Sequence, residues 1–599
     1  MSKLGKALAV VAAIYLLLTL VDRFVLLQAF FQRNAIPLAL AAVEATAITG
    51  CGWWLHRGRF HAARDFLLGY PVFGALCFLV GTLKIAVWTM LPLLALGLIG
   101  ALLAYRRTEA QPPADLAPVL DPAAPRPHPG SPGVQFIAIG AVAVVFAAAV
   151  VVAQAPPVSL DELAYHLAVP HTWVLEGRAV ELPLLSHSYF PLGIESADLP
   201  LFVALGIDGG IASHWLHLLA AIATALVIAG EVRKRAPEPL RSLVTAAIIT
   251  TPALAIAAGW SLVDFPLAGL CVILIAAVES DDDRVVAGAT AAGLLTKYTF
   301  VPVLLIALIV SRKWRAALPG LAAGATFYLR NVLLTGNPVA PFLSRVAPHI
   351  GRYRTLYIST AVFDGSFIDE ALGASLLMLA FLIRGRMAVV FVLAAVVLLF
   401  GVSPSTRLLL PFLIIPAITS ASGLLASSTG VRRTLTACLL AAIVMQTLLV
   451  VFQVDRAQSF KLLTSPISDQ QYVAEQRPAT AAVQWLDSQL PPDSRTLVVG
   501  LNETYWFTHR VRGGGNFDGP RVSAYLTTPT PESLRAKLAH DGITHVAVIS
   551  APPPTAEAKK VEERRTELSP EAQRALAQML DRYAGSINSR GNATLFALR

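Results

Sequence analysis

Apolar residues come in long unbroken blocks along most of this chain, each closed by a short polar or basic stretch. A helix needs about 20 apolar residues to cross the hydrocarbon core of a bilayer. Blocks approaching that length recur at 7–30, 35–55, 66–82, 86–105, 134–154, 212–230, 241–259, 264–279, 285–297, 299–311, 315–333, 371–384, 386–402, 408–426 and 432–452. The pattern predicts a polytopic α-helical membrane protein with about fifteen transmembrane helices. The pair flanking Lys297 is short enough to be one broken hairpin.

After residue 452 the pattern changes. A helical stretch holding Val483, Trp485 and Leu486 leads to a strand at 496–500. A helix near 531–540, a strand at 545–549, a helix at 570–583 and a strand at 593–598 follow. Strands alternating with helices predict a soluble α/β domain with an open, mostly parallel sheet. The chain divides into four N-terminal helices (1–107), a Pro- and Ala-rich linker (108–133), a main transmembrane unit (134–452) with a long loop at 155–211, and the α/β domain (453–599). The linker reads as a flexible or polyproline tether.

Composition sharpens this. Of 599 residues, 55% are hydrophobic and 14% charged. Soluble domains carry about 25% charged residues, so lipid must cover much of the apolar surface. The net charge of +9 does not indicate nucleic acid, because the basic residues sit in clusters between apolar blocks. With the N-terminus (Lys3, Lys6) in the cytoplasm, strict alternation gives the cytoplasmic loops Arg57, Arg59 and Arg64; Arg106 and Arg107; Arg233 to Arg235 and Arg241; Arg312, Lys313 and Arg315; Arg384 and Arg386; and Arg432 and Arg433. That is the positive-inside distribution. It places the linker in the cytoplasm, and the loop 155–211, the loop 334–370 and the tail outside. The implied address is a bacterial inner (plasma) membrane. Four cysteines, Cys51, Cys77, Cys271 and Cys438, all fall in expected spans, with no disulfide or zinc-finger spacing. The first block is followed by many others, so it reads as a retained helix rather than a cleaved signal.

The densest chemistry is in the first external loop. It reads SLDELAYHLAVPHTWVLEGR from Ser159 and then SHSYFPLGIES from Ser186. Helical spacing gives Leu160, Leu163, Leu167 and Val174 one apolar stripe, expected to lie on the membrane as an interfacial helix. Asp161 and Glu162 stand at its N-terminal end. Asp161 reads either as the helix cap or as a reactive carboxylate. Tyr165, His166, His187, Tyr189 and Glu195 share the compartment, where packing on headgroups is the alternative role. Lys297, Arg330 and Arg407 fall near the external ends of their spans, against the positive-inside bias. They either meet an anionic ligand or snorkel to headgroups. Tyr298 fits a ligand contact or an interfacial belt. Asp281 to Asp283 fall in a cytoplasmic loop and read as solvated; Asp264 begins its span from the external side, where it either reaches the site or, the first reading, caps its helix. Gly513 to Gly515 lack the strand–turn–helix context of a phosphate loop and read as a turn. Asn502-Glu-Thr504 and Asn592-Ala-Thr594 match a sequon by pattern alone.

The acidic residue followed by a Tyr-His-Leu helix resembles polyprenol-phosphate-sugar-dependent glycosyltransferases of the GT-C superfamily. The bacterial branch grouped with protein O-mannosyltransferases and rhizobial lipopolysaccharide sugar transferases is the most similar. GLLTKYTF (293–300), YLRNVLLTGNPVAPF (328–342) and SPSTRLLLP (403–411) match further family segments in order, so the resemblance covers 134–452. It implies a GT-C-like fold and an inverting transfer of a sugar from a polyprenyl-phosphate donor to a hydroxyl acceptor on a lipid, glycan or protein. Asp161 would be the base, tuned by Glu162 and His166. Lys297, Arg407, Arg330 and Tyr298 would meet the donor phosphate, and Tyr165, His187, Tyr189 and Glu195 would line the acceptor or sugar pocket. No protein metal site is implied, and use of a divalent cation stays open. A transporter or flippase for lipid-linked sugars, and a scaffold with a binding tail, are the rival readings. The first would put charges and broken helices near the midplane, usually in repeated halves.

Overall fold

A computed structural model describes residues 3–109, 132–342, 373–401 except 381, 383 and 384, 406–465, 467–515, 518–549 and 568–599. Most of the Pro-rich linker, most of the loop 334–370 and the start of the segment 403–411 lie outside the described residues.

The chain is an integral membrane protein. Seven described helical stretches are long and apolar enough to cross a bilayer, and the bent pair Leu240–Ile249 and Pro252–Gly259 makes an eighth if counted as one span. Other expected spans are shorter helices: Asp264–Glu279, Asp283–Thr296, Phe300–Ser311 and Arg386–Gly401. Fourteen residues, as in Asp283–Thr296, rise about 21 Å, less than the roughly 30 Å hydrocarbon core. Helices this short bring their polar ends within the thickness of a bilayer.

One expectation is corrected at the start. The blocks 7–30 and 35–55 are a single helix, Lys3–His56, that runs through Pro37 without a turn. Polar Arg33 and Asn34 fall between the two blocks, and tertiary partners hold them inside the helix. The Arg33 guanidinium donates to the carbonyl of Gln154 at 2.7 Å and to Asp469 at 2.5 Å, and Asn34 accepts from the Trp215 indole at 3.0 Å. The N-terminal helices are built into the bundle. Helix Ala62–Leu83 approaches the loop helix Gly193–Ala197 so closely that a Cβ on Gly74 would stand 1.7 Å from the carbonyl oxygen of Gly193.

The charges sort to two ends of the bundle. At one end Arg235 pairs with Glu231 and Glu279, and Lys313 pairs with Asp281 and Asp283 at 2.7 Å each. At the other end Arg33 meets Asp469 of the C-terminal region, alongside the loop 155–211. The expected alternation predicts opposite compartments for these ends. In a Cys438→Ser background, cysteines placed at the exposed Ser280 and Ser488 should react oppositely with an impermeant thiol reagent added to intact cells. Equal labelling of both would break the alternation.

The C-terminal domain carries a five-stranded sheet in the order β2-β1-β3-β5-β4. The strands are β1 Arg495–Val499, β2 Arg510–Arg512, β3 His545–Ile549, β4 Ala584–Arg590 and β5 Ala593–Leu598. Strand alternation sends Leu497, Val499 and Val546 to one face, against Leu534, Leu538, Leu576 and Met579 of two helices. Val498, Ala547 and Ile549 pack on the other face against Val483 and Leu486. The sheet is mixed rather than mostly parallel: β1 pairs parallel with β2 and β3, whereas β3–β5 and β4–β5 are antiparallel. The cause is a tight hairpin at Gly591, whose φ of +60° suits glycine, and which turns β5 back along β4.

Candidate active site

After helix Pro132–Ala153 the chain breaks at Pro156 and Pro157 and re-enters helix near Leu160. A π-turn, Glu162–His166, precedes the helix Ala168–Glu176. Such wide turns recur at functional sites. Asp161 has helical φ and ψ of −66° and −35° and makes no side-chain cap bond, which removes the cap reading. Glu162 takes the backbone role instead, since its Oε2 accepts from the amide of Ser159 at 3.1 Å, the glutamate half of a capping box. Its Oε1 accepts from the Ser261 amide at 2.5 Å and lies 2.9 Å from His214 Nε2. Glu162 is fully buried among these partners.

The apolar stripe is also reassigned. Leu163 and Leu167 pack on Phe202 and on Tyr505 of the C-terminal domain, with Val174 alongside. The Thr504 amide donates to the carbonyl of Leu163 at 3.2 Å. The stripe is covered by protein rather than laid on lipid. His171 belongs to the same seam, buried with its Nδ1 3.1 Å from the Tyr505 carbonyl. Burial pushes its pKa down to about 4. Between that value and the ordinary histidine value near 6.5, the unfolded chain binds a proton that the native seam refuses. Stability therefore rises with pH across this window and falls on acidification, by up to about 3 kcal/mol. Thermal melts should show a lower Tm at pH 5 than at pH 8, with a much smaller pH dependence in His171→Asn. Equal pH dependence in both proteins would remove this role.

The charged centre gathers residues from four distant parts of the chain. An Arg407 Nη2 donates to Asp161 Oδ2 at 2.6 Å. Arg407 Nε lies 3.7 Å from Asp264 Oδ2, and Lys297 Nζ lies 3.6 Å from Asp264 Oδ1. Asp264 thus sits between both cations, at the site that its external position allowed it to reach, rather than serving as a helix cap alone. Lys297 follows the last turn of Asp283–Thr296, where the helix dipole favours a cation. Burial alone would raise the Asp161 pKa, but the charge and hydrogen bond of the Arg407 guanidinium hold the carboxyl well below the usual range. His166 is buried with Nδ1 2.7 Å from Glu195 Oε1, and burial keeps its ring neutral, with a pKa well below the ordinary value. Tyr165 stacks on His187 at 4.4 Å between centroids and lies 4.0 Å from His166.

The sequence matches no family model and no curated protein. Among solved structures it is similar to ArnT from Cupriavidus metallidurans bound to undecaprenyl phosphate, at 15% identity and a TM-score of 0.46, covering 78% of this chain and 98% of that one. The apo form of ArnT gives 15% and 0.48 over the same coverage. Arabinofuranosyltransferase AftD from Mycobacteria gives 14% and 0.41, covering 78% of this chain and 41% of that one. At these identities and scores, the reading of the site rests on its own residues.

A second group stands beside the charged centre and grips the turn Ser186–Tyr189. Arg330 donates to the carbonyl of Ser188 at 2.7 Å, and Asn331 donates to the carbonyl of Tyr189 at 2.6 Å and to the Tyr298 hydroxyl at 2.8 Å. The Tyr298 hydroxyl lies 3.1 Å from the Tyr189 carbonyl and 2.9 Å from that of Ala340. Arg330 and Tyr298 therefore hold the loop in place. One Arg330 nitrogen, Nη2, has no hydrogen-bond partner among the described residues. Tyr189 donates to Glu181 at 2.5 Å. Asn331 was missed in the sequence, where its signal is an amide beside Arg330 in a helix that reads TFYLRNVLLT. Among the described residues no group of three His, Cys, Asp or Glu could hold a metal ion. Asp282 caps the next helix by accepting from the Val285 amide at 3.2 Å.

Proposed function

We propose that the protein is a membrane glycosyltransferase that moves a sugar from a polyprenyl-phosphate donor to a hydroxyl acceptor at the external face. The observation that carries the reading is the partnership of Asp161 with Arg407, extended through Asp264 to Lys297. A carboxylate beside two cations suits both halves of the transfer. The acceptor oxygen attacks the anomeric carbon as the bond from that carbon to the phosphate oxygen breaks. The leaving phosphate keeps the electron pair, and the cations neutralise it. The acceptor proton passes to Asp161. One displacement with no covalent intermediate inverts the anomeric centre, as the GT-C resemblance implies.

Free Asp161 is a poor base while Arg407 lowers its pKa. Donor binding would change that. As phosphate draws the guanidinium away, the carboxylate gains proton affinity when the acceptor needs it. Lys297 and Arg407 thereby act first on the donor and only indirectly on the base. The acceptor side would be lined by Tyr165, His187 and the turn Ser186–Tyr189.

The test is an assay of the purified protein in liposomes with a mixture of polyprenyl-phosphate sugars and envelope lipids. Formation of a glycosylated product with release of polyprenyl phosphate is expected. Movement of the donor across the bilayer without chemistry would replace this reading with a flippase. Binding without either would leave a scaffold.

A further inference from the structure

The C-terminal domain touches the loop 155–211 at a place that general docking does not require. Leu184 of the loop is buried in the hydrophobic core of the C-terminal domain, with Leu526 and Val522. Two residues on, the amide of Ser186 donates to both carboxylate oxygens of Asp518, at 3.1 Å each. The same carboxylate accepts from the amide of Gly515 at 2.6 Å, and Asp518 is 1% exposed. The glycine run 513–515 is therefore an element of this joint. A Cβ on Gly515 would stand 3.0 Å from Leu185 Cδ1, 3.2 Å from Asp518 Oδ2 and 3.5 Å from His187 Nδ1. Arg521 adds a bond to the carbonyl of Pro183 at 2.9 Å, and its guanidinium lies 5.1 Å from the centroid of the Tyr189 ring.

The turn Ser186–Tyr189 is thus held from two sides. Arg330 and Asn331 of the membrane unit hold its carbonyls, and Asp518 of the C-terminal domain holds its first amide. A buried carboxylate taking two backbone amides is a strong, directional tie. What it directs is His187, whose ring stacks on Tyr165 beside His166.

We propose that the C-terminal domain completes the acceptor side of the site, with Asp518 as the positioning residue that sets the Ser186–Tyr189 turn and, through it, His187. This rests on the glycosyltransferase reading for its consequence in turnover, but not for the positioning itself. Asp518 touches no reacting atom; it acts through the turn.

Two variants of the full chain test it, Asp518→Asn and Gly515→Ala. The first keeps size but turns an N–H group toward amides that the carboxylate accepts from, which breaks part of the tie. The second adds a methyl group facing His187 at a backbone any residue can adopt. Hydrogen exchange should speed up at the amides of Ser186–Tyr189 in both, with β1 and β3 unchanged. In the liposome assay the KM for acceptor should rise about tenfold, in line with a lost bond to a charged group, with donor binding unaltered. Unchanged exchange at the turn in Asp518→Asn would overturn the proposal. Exchange rising throughout β1 and β3 would also overturn it, by showing that Asp518 serves the domain's own fold. Weakened donor binding with an unmoved acceptor KM would overturn the assignment to the acceptor side. An inactive wild type would remove the glycosyltransferase reading, and the exchange measurement would still decide the positioning claim.

Discussion

Asp161→Asn should fold, insert and bind donor, and lose about 10²–10⁴-fold of its turnover, the usual worth of a positioned general base. Asn retains the shape of Asp and an oxygen for Arg407, but cannot take a proton at neutral pH. The cap explanation would have predicted near-normal behaviour, since Asn caps as well as Asp. That explanation fails on geometry, because Asp161 is already helical and bonds no amide. Glu162→Gln is the informative companion. The Glu162 carboxylate accepts from two backbone amides and faces His214. An amide there places N–H groups against N–H donors, so the expected result is less folded protein rather than a shifted pH profile. A pH profile separates the two states of Asp161. In the free enzyme its carboxyl lies well below the usual range, so the stability it contributes is present above about pH 4 and is lost only as pH falls through the depressed value. The profile of kcat/KM, which reports the free enzyme, should therefore show no acid limb from Asp161 near neutrality. The profile of kcat reports the complex, where phosphate competes for Arg407, and its acid limb should lie at higher pH. Near-normal turnover in Asp161→Asn would end the case for this residue as base.

The gross architecture was legible because bilayer crossing leaves a strong local signal. Apolar blocks and basic clusters mark spans and loops without knowledge of contacts. Most of the failures lie where a distant segment decides. Arg33 and Asn34 look like a turn until Gln154, Asp469 and Trp215 supply partners. The Leu163–Leu167 stripe looks lipid-facing until Tyr505, over three hundred positions later, covers it. Asp161 and Glu162 are adjacent, so spacing could not divide their roles. The side chains part only because one meets Arg407 and the other meets Ser261. Asp264 was weighed for the site and set aside as a cap, because nothing local tells that Lys297 and Arg407 flank it. The hairpin between β4 and β5 did leave a signal, the Arg590-Gly591-Asn592 turn, and it marks an antiparallel return that the alternation of strands and helices concealed.

Arg407→Ala should weaken donor binding by roughly tenfold to a hundredfold, the cost of about 1.5–3 kcal/mol for a lost bond to a charged group. It should also cost stability, because it removes the cation shared by Asp161 and Asp264 and unpaired buried charge is expensive. Arg407→Lys is a poor rescue on geometric grounds. Its single ammonium cannot reproduce a fork whose Nη2 reaches Asp161 while Nε faces Asp264. Lys297→Ala should weaken donor binding through the same phosphate with a smaller cost to the fold, since Asp264 retains Arg407. The decisive comparison is Arg407→Ala added to Asp161→Asn, read by direct binding of donor lipid. If Arg407 serves only to hold Asp161, the second change adds nothing once the carboxylate is gone. If it meets phosphate, donor affinity in the double variant falls below that of Asp161→Asn alone, by an amount that the contact between the two side chains couples to the first change. Unchanged donor binding in both Arg407→Ala and Lys297→Ala would reduce these cations to ion-pair partners of Asp161 and Asp264. The donor phosphate would then have to be met elsewhere, with Arg330, whose Nη2 has no hydrogen-bond partner among the described residues, the next group to remove.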